Sequence, residues 1–327
     1  MTATDIQPSV HVPARDIPVP GSVSAEAQAV LAMAPIELPD YPPLDDIAAW
    51  RTMIAARDAA IRPRLVDRAS RIAADVEEID LGGVGTFVIT PRGAPDNERV
   101  FLDIHGGGLI MGGGDLCRAM GVSTAARVHA RTWAIDYRMP PDHPYPTPLD
   151  DCLAAYRALL RDHRPESIVV GGGSAGGNLA AALVLRARDE GLPMPAAVVL
   201  LTPELDLTES GDSFQTNLGV DTVQTDSLMP ANLLYAAGHD LSDPYLSPLF
   251  GDFSAGFPPT LLATGTRDIF LSNTVRMHRA LRAVGGSAEL HVLEAAPHGG
   301  FFGSAPEDRE LEREVRRFIH TQWALSL

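Results

Sequence analysis

The most informative stretch of the chain reads Ser167-Ile-Val-Val-Gly-Gly-Gly-Ser-Ala-Gly-Gly-Asn178. Its β-branched start and its Ala- and Leu-rich continuation predict a buried strand that turns abruptly into a helix. The turn carries the pattern G-x-S-x-G, in which Gly172 and Gly176 flank Ser174. Glycines at those positions permit a strained turn that exposes the central hydroxyl. Ser174, at a helix N-terminus that favours negative charge, is the candidate nucleophile, although this motif alone also fits an incidental serine.

Short apolar runs alternate with helical patterns along the rest of the chain. Such alternation predicts a mostly parallel sheet that helices cover on both faces. The predicted strands are Gly85–Pro91, Arg99–His105, Trp133–Tyr137, Ser167–Gly171, Ala197–Leu201, Thr260–Thr264 and Glu289–Leu293. The helices predicted between and after them cover residues 116–130, 148–162, 175–190, 272–284 and 308–323. Upstream, helices are predicted for Ala25–Met33 and Leu44–Ala74, and Pro63 is expected to end or kink the second one.

A second glycine motif, His105-Gly-Gly-Gly108, follows a predicted strand about 70 residues before the serine motif. Glycines in such a loop allow backbone N–H groups to approach a carbonyl oxygen under attack. Donors of this kind stabilise the transition state by a few kcal/mol each. We assign this role to the N–H groups of Gly106, Gly107 and Ala175. His105 itself is expected to shape the loop through hydrogen bonds rather than to act as a base.

A nucleophilic serine also needs an acid and a base, in the chain order Ser, Asp or Glu, His. His298 lies in a glycine-containing loop, Ala296-Pro-His-Gly-Gly-Phe-Phe302, just after a predicted strand. Asp268 follows another strand end and precedes His298 by 30 residues, which leaves room for one helix and one strand. All three candidates thus fall at the carboxyl ends of parallel strands, where open α/β sheets place their sites. Asp268 alone would also fit a turn or a helix cap, but the three residues together predict a triad.

Composition restricts the remaining possibilities. The 327 residues are 45% hydrophobic and carry a formal net charge of −16, which is typical of a globular protein and disfavours a nucleic-acid partner. Cys117 and Cys152 are expected to be buried thiols, and because no Cys–His spacing resembles a zinc site, no metal or other cofactor is predicted. The N-terminus lacks the features of a signal peptide. No apolar run is long enough for a membrane span, so a cytoplasmic protein is expected.

Together, these motifs resemble those of the hormone-sensitive-lipase-like family of α/β hydrolases, bacterial esterases that carry the HGGG signature. The resemblance extends from about Val84 to the C-terminus. Its most specific part is Asp136-Tyr-Arg-Met-Pro-Pro-Asp-His-Pro-Tyr-Pro-Thr-Pro-Leu-Asp-Asp151, which is similar to the family pattern D-Y-R-x-A-P-E-x-P-x-P-A-x-x-D. The resemblance implies the α/β-hydrolase fold, with a mostly parallel eight-stranded sheet and a helical cap. It also implies that Asp150 or Asp151 holds the loop under the oxyanion hole, and that a homodimer forms through an edge strand near Leu290.

The chain departs from the family pattern at three positions. Gly173 stands where the family usually has Asp before the nucleophile, Leu109 replaces an aromatic residue after HGGG, and Ser272 replaces a second acidic residue after the triad Asp. None of these changes removes a catalytic group. Two further segments, Gly265–Thr274 and Pro297–Phe301, are similar to the branch of the family that includes monoterpene ε-lactone hydrolases.

Four segments are predicted along the chain. They are the N-terminal part of the cap (1–75), the first part of the α/β-hydrolase core (76–203), a cap insertion rich in Asp, Ser, Thr and Pro (204–247) and the second part of the core (248–327). The substrate pocket is expected between the sheet and the cap. Its predicted lining residues are Leu109, Phe214 and Met229, with simple core packing as the alternative for each.

The predicted function is the hydrolysis of small-molecule carboxylic esters through an acyl-enzyme on Ser174. A roofed apolar pocket favours short to medium chains. The same triad would also serve a lactone hydrolase or an amidase, and the sequence leaves these alternatives open. A non-catalytic small-molecule-binding protein of this fold typically loses a triad member, whereas all three are present here. A dinucleotide-binding protein is disfavoured because no G-x-G-x-x-G lies in the first strand–helix turn.

Overall fold

The structure is a computed structural model that describes residues 9–34, 39–95 and 98–325. Within these ranges, eight strands form one sheet: β1 (Ala74–Asp80), β2 (Gly85–Pro91), β3 (Val100–Ile104), β4 (Arg131–Asp136), β5 (Ile168–Gly173), β6 (Ala197–Leu201), β7 (Thr260–Gly265) and β8 (Ala288–Leu293). Their order across the sheet is β1-β2-β4-β3-β5-β6-β7-β8. Neighbouring strands from β4 to β8 are parallel, whereas β2 pairs antiparallel with both β1 and β4. The predicted mostly parallel, eight-stranded sheet is confirmed.

Helices surround the sheet. Those in the described ranges are α1 (Ala25–Leu31), α2 (Ile47–Ser70), α3 (Asp115–Val128), α4 (Thr147–Asp162), α5 (Ala175–Asp189), α6 (Ser213–Thr216), α7 (Met229–Ala236), α8 (Leu271–Ala283) and α9 (Pro306–Leu325), with 3-10 turns at Pro165–Ser167 and Pro248–Phe250. None of these helices is long and apolar enough to cross a membrane. Each predicted core helix coincides with an observed one, with ends that differ by at most two residues.

The two faces of the sheet carry separate apolar cores, because successive residues of a strand point to opposite sides. Leu102 and Ile104 of β3 pack in a cluster with residues of α4, α5 and α8. Phe101 of the same strand packs on the other side, with residues of α3 and α9. This second side, which we call the α3–α9 face, also contains Val199 of β6 and Ala263 of β7. The helices therefore cover both faces of the parallel strands, as the alternating pattern predicts.

The sequence does not predict β1. Its sequence, Ala-Asp-Val-Glu-Glu-Ile-Asp, is mostly acidic, and none of its seven side chains is fully buried. The strand lies at the edge of the sheet and pairs only with β2 along its length. An edge strand that faces solvent needs no apolar run, so the period-2 pattern is too weak to mark it.

Pro63 does not end the helix, because α2 continues through it from Ile47 to Ser70. A proline inside a helix removes one hydrogen bond and crowds the preceding turn. Contacts on both sides of the proline offset this cost. Trp50 is completely buried before it, and Arg68 after it donates a hydrogen bond of 2.6 Å to the carbonyl oxygen of Phe302.

Helix α2 and the insertion between β6 and β7 meet in one apolar cluster. Trp50 and Met53 of α2 pack there with Ile110, which follows the β3 glycine motif, and with Ala231 and Leu234 of α7. The predicted N-terminal segment and the predicted insertion are thus in contact above the loop after β3. The outer ends of the predicted segments 1–75 and 248–327 lie partly outside the described residues.

Candidate active site

Ser174 lies in the sharp turn between β5 and α5. Its backbone has a φ of 56° and a ψ of −126°, a strained conformation for a residue with a side chain. A Cβ at Gly172 would lie 2.4 Å from the Gly176 carbonyl group, and one at Gly176 would lie 1.9 Å from the carbonyl oxygen of Ile104. Only glycine therefore fits at either position. The N–H of Ser174 donates to the Leu201 carbonyl at 2.9 Å, which anchors the turn to β6.

The structure brings the other two predicted triad residues beside this serine. Nε2 of His298 is 2.9 Å from Oγ of Ser174, and its Nδ1 is 3.1 Å from Oδ1 of Asp268. Asp268 is completely buried. Its Oδ1 also accepts the N–H of Phe270 at 2.9 Å, and its Oδ2 accepts the hydroxyl of Thr264 at 2.7 Å. These bonds fix the carboxylate so that Nδ1 of His298 donates to it and Nε2 faces the serine.

A further buried carboxylate, Asp221, connects the two loops that carry the acid and the base. It accepts the backbone N–H of His298 at 3.2 Å and that of Ile269 at 3.0 Å. Sequence reasoning does not identify this residue. Asp221 belongs to the irregular part of the 204–247 insertion, and no strand end or glycine motif beside it marks a role.

Negative groups around His298 favour its protonated form. Burial alone disfavours the imidazolium, but the carboxylate of Asp268, with a further contribution from Asp221, raises the pKa of His298 above its ordinary value. Glu204 differs from the other two, because burial raises its pKa to about 8 and leaves it mostly protonated at neutral pH. Sequence reasoning misses Glu204 too, since it stands in an unremarkable Thr-Pro-Glu stretch after β6.

The glycine loop after β3 comes close to the turn of β5. A Cβ at Gly106 would lie 2.9 Å from the Gly173 carbonyl oxygen. One at Gly107, where φ is 134°, would lie 2.0 Å from the Met111 carbonyl oxygen, so both positions require glycine. Within the described part of the chain, the N–H groups of Gly106, Gly107 and Ala175 have no bonded acceptor. These predicted donors remain able to bind an oxyanion at the turn.

His105 lies under this loop and is buried. Its Nδ1 is 2.8 Å from the Gly106 carbonyl oxygen, and its ring stacks on Tyr137 at 4.2 Å. Burial lowers the pKa of His105 to about 4, which keeps the ring neutral. Donor atoms of His105, Cys117 and Asp136 lie within 4.8 Å of one another, the one potential metal-binding group among the described residues. Burial raises the pKa of the Cys117 thiol well above its ordinary value, which opposes formation of a metal-binding thiolate.

A cavity of about 650 Å³ contains Ser174 and His298. Its walls come from the α3–α9 face of the sheet, from α2, α3 and α9, and from the loop between β8 and α9. No residue of the 204–247 insertion is part of this lining. The space beside the serine therefore lies between one face of the sheet and α2, which belongs to the predicted N-terminal part of the cap, and the predicted insertion takes no part in it.

The three residues predicted to line the pocket lie outside this cavity. Leu109 has a φ of 64°, and its side chain is completely buried in the core on the opposite side of the sheet, with residues of α4 and α5. Phe214 is buried against Phe270 and two other apolar residues of the insertion and the β7–α8 loop. Met229 begins α7 and is half-buried. Core packing, the alternative that the sequence leaves open, describes Leu109 and Phe214 better than contact with this cavity.

Two further positions from the family comparison have structural roles. Ser272 exchanges hydrogen bonds of 2.9 Å with Ser213, each N–H donating to the other hydroxyl, which joins α8 to the insertion. Asp151 is buried and accepts the N–H of Arg138 at 2.9 Å and its guanidinium at 2.6 Å. Asp150 instead pairs with Arg186 at 2.5 Å. Of the two aspartates, Asp151 is the one that holds the loop after β4.

Comparison with known proteins identifies the family. The family described as alpha/beta hydrolase fold matches residues 101–302. The chain belongs to this α/β-hydrolase family. The match covers the turn at Ser174, the glycine loop and both partner loops, and it confirms the fold that the resemblance implies.

Two relatives of the chain are named esterases. One from Acinetobacter venetianus, named esterase, is 32% identical over 225 residues, which cover 66% of this chain and 73% of that protein. Esterase LipI of Mycobacterium tuberculosis is 30% identical over 287 residues, which cover 81% of this chain and 88% of that protein.

Two solved structures of esterases are also similar to the chain. The crystal structure of esterase E25 has a TM-score of 0.89 and 33% identity, covering 95% of this chain and 98% of that one. An esterase from the bacterial hormone-sensitive lipase family has a TM-score of 0.75 and 30% identity, covering 92% and 99%. The chain is thus similar to hormone-sensitive-lipase-like α/β hydrolases over nearly its whole length.

Proposed function

We propose that the protein is a serine carboxylic-ester hydrolase that works through an acyl-enzyme on Ser174. The observation that carries the proposal is the continuous series of hydrogen bonds from Oγ of Ser174 through the ring of His298 to Asp268. The α/β-hydrolase family and the esterase names of the relatives support it. A non-catalytic binding protein would have no need to keep all three groups in hydrogen-bonding position.

In the first half-reaction, Oγ of Ser174 attacks the ester carbonyl carbon while Nε2 of His298 takes the hydroxyl proton. The carbonyl oxygen becomes an oxyanion and accepts hydrogen bonds from the N–H groups of Gly106, Gly107 and Ala175. The tetrahedral intermediate then collapses. The bond between the carbonyl carbon and the alcohol oxygen breaks, and His298 gives its proton to the departing alcohol.

In the second half-reaction, water attacks the acyl carbon while His298 takes one of its protons. Collapse of this second intermediate releases the carboxylic acid, and the proton returns to Ser174. Asp268 keeps the ring oriented in both steps and stabilises its positive charge, as the raised pKa of His298 indicates. No step of this mechanism calls for a metal or an organic cofactor.

Esters with short to medium acyl chains are the proposed substrates. Lactones are a second proposed class, because attack on a cyclic ester is the same reaction and the alcohol remains attached to the product. The similarity of Gly265–Thr274 and Pro297–Phe301 to the monoterpene ε-lactone hydrolase branch favours this second class. An amide would require His298 to protonate a departing nitrogen, and no observation favours that reaction over ester hydrolysis.

We further propose that segments 1–75 and 204–247 form a cap over the core segments 76–203 and 248–327. The cluster that α2 and α7 share supports this arrangement. A homodimer through β8 is proposed on the position of that strand at the edge of the sheet, where 45% of Val292 is exposed.

Covalent labelling tests the central proposal. A fluorophosphonate probe should modify Ser174, and Ser174→Ala should lose the label while kcat for p-nitrophenyl butyrate falls about 10⁴-fold or more. Ser287→Ala is the matched control, because Ser287 is exposed. It precedes the first residue of β8, at the end of the strand away from the loop that carries His298. An adduct on another residue, or hydrolysis that survives Ser174→Ala, would overturn the proposal.

A further inference from the structure

Three glycines end β5, and their surroundings differ. A Cβ at Gly171 would lie 2.5 Å from Cζ of Phe101, and one at Gly172 would lie 2.4 Å from the backbone of α5. A Cβ at Gly173 would meet nothing closer than the carbonyl oxygen of Leu201, at 3.5 Å. The φ of Gly173 also lies outside the left-handed region. A side chain is therefore sterically possible at Gly173, and the glycine leaves the space in front of it open.

This open space belongs to the cavity that contains the nucleophile. Because side chains alternate along a strand, Gly173 faces the same side as Gly171, which is the α3–α9 face that Phe101 occupies. The cavity continues down this face to the side chain of Phe101, whose ring tip lies beside Gly171, about 7 Å along the strand from Gly173. Apolar side chains dominate its deeper walls: Phe101, Val128, Val199, Ala263, Leu311 and Val315.

Charged side chains line the outer end of the cavity, where α2 meets the loop before α9. The guanidinium of Arg64 lies 3.6 Å from the ring centroid of Phe302, and Arg68 donates to the carbonyl oxygen of Phe302. Arg127 and Glu312 lie 3.8 Å apart on the side formed by α3 and α9. An apolar acyl chain longer than the channel would have to displace these charged groups or extend into water beside them. The outer end therefore limits the length of apolar ligand that the channel can bury.

One carboxyl group, Asp103 of β3, interrupts the apolar wall. Burial raises the pKa of Asp103 to about 6, although the charge of Arg127 and the hydroxyl of Thr124 oppose the rise. Near neutral pH this side chain is present in both its charged and its protonated form. The protonated form is less costly to bury against hydrocarbon.

We propose that this cavity is an acyl channel, which binds the unbranched acyl chain of the ester in line with Ser174, and that the missing side chain at Gly173 admits the chain. The inference rests on the proposed function, since it places the acyl group that Ser174 would carry. The space left open at Gly173, the apolar walls and the charged outer end together favour chains of medium length. Each methylene group that enters contributes about a fourfold gain in kcat/KM, from the ~0.8 kcal/mol that burial of a methylene provides.

Two substitutions at Gly173 test the opening. The measured quantity is the ratio of kcat/KM for p-nitrophenyl hexanoate to that for p-nitrophenyl acetate. Gly173→Leu places a branched side chain in the opening and should lower this ratio about 15-fold, the equivalent of two excluded methylene groups. Gly173→Ala adds only the Cβ for which there is room, and it should change the ratio less than threefold.

A substitution in α9, far from Gly173 in the sequence, tests the deeper part of the channel. It also covers the case in which Gly173→Leu is inactive or unfolded. Leu311 lines the channel from α9 and is only partly buried. Leu311→Trp should shorten the preferred acyl chain, so that the ratio of kcat/KM for the decanoate to that for the butyrate falls at least tenfold. Leu325→Trp is the matched control on the same helix, because 76% of Leu325 is exposed and it lies outside the channel.

The outcomes separate the two proposals. If wild-type protein hydrolyses the acetate through Ser174 but both Gly173→Leu and Leu311→Trp keep the wild-type chain profile, the acyl channel is wrong and the proposed function stands. If the variants change the profile for alkyl acetates of increasing alcohol length instead, the channel holds the alcohol and the acyl assignment is wrong. If wild-type protein neither labels nor hydrolyses any ester, the proposed function itself fails.

Discussion

Replacement of Asp268 by asparagine tests the reasoning about the triad most directly. In many serine hydrolases an asparagine at this position turns its amide N–H towards the histidine and reverses the tautomer. The hydrogen bonds around Asp268 oppose that outcome. The N–H of Phe270 points at Oδ1 and would face the amide nitrogen if the side chain turned. If the side chain keeps its amide oxygen at the position of Oδ1, the amide nitrogen takes the position of Oδ2. There the hydroxyl of Thr264 can accept a hydrogen bond from it.

The fall in kcat/KM of Asp268→Asn should therefore reflect only the loss of the negative charge beside His298. Nδ1 of His298 lies 3.1 Å from the carboxylate, which at an effective dielectric constant of about 20 corresponds to an attraction of about 5 kcal/mol for the imidazolium. A neutral hydrogen bond to the amide oxygen retains about 1 kcal/mol of it. The difference of about 4 kcal/mol predicts a fall in kcat/KM of about 10³-fold. Because the pKa of His298 loses its main support, the acid limb of the pH profile should also move to lower pH.

The assay is hydrolysis of p-nitrophenyl butyrate across the pH range, with Asp268→Ala and the double variant Asp268→Asn/Thr264→Val for comparison. The alanine variant loses the acceptor as well as the charge, and its kcat/KM should be at least tenfold below that of Asp268→Asn. Removing the hydroxyl of Thr264 leaves the amide nitrogen without an acceptor, so the double variant should fall to the level of Asp268→Ala. An Asp268→Asn variant as impaired as Asp268→Ala would show that Thr264 and Phe270 do not fix the amide, and the argument would be refuted.

Three other expectations concern separate parts of the molecule. Asp221→Asn removes a charge that raises the pKa of His298, so the acid limb of kcat/KM should move to lower pH; an unmoved limb would contradict this. In the acyl channel, the ratio of hexanoate to acetate kcat/KM should rise as the pH falls through about 6 and Asp103 becomes neutral, and Asp103→Asn should make that ratio independent of pH. Arg138→Ala leaves the buried carboxylate of Asp151 with only the backbone N–H of residue 138 as donor. Urea denaturation should show a free energy of unfolding lower by about 2 kcal/mol, which is less than for a fully buried ion pair because Arg138 is half exposed.

The chemistry of the site is the part that the sequence predicts best. Ser174, Asp268 and His298 each follow a parallel strand within a few positions, and parallel strands that end at one edge bring such residues together whatever the intervening loops do. The two glycine motifs mark close backbone approaches, which the structure places at Gly106 and Gly176. These signals are local, so a single sequence contains them.

Residues that support the site indirectly carry no such signal. Asp221 acts through the backbone N–H groups of Ile269 and His298, which are 48 and 77 positions away. Nothing near Asp221 in the sequence distinguishes it from a surface carboxylate of the acidic insertion. The helix through Pro63 is similar, because the contact of Arg68 with Phe302 that holds it spans 234 positions.

The shape of the pocket is unpredictable for the same reason, and the end of β5 shows why. Gly171, Gly172 and Gly173 are identical letters in the sequence. The first gives room to a neighbouring ring, the second to the backbone of α5, and the third to nothing but open space. A motif reading explains the middle glycine, which belongs to the turn, and assigns no purpose to the other two. Their difference arises from the ring of Phe101 on β3 and from the backbone of α5. The reaction type can therefore be inferred from the motif, whereas the substrate that fits depends on the assembled sheet and helices.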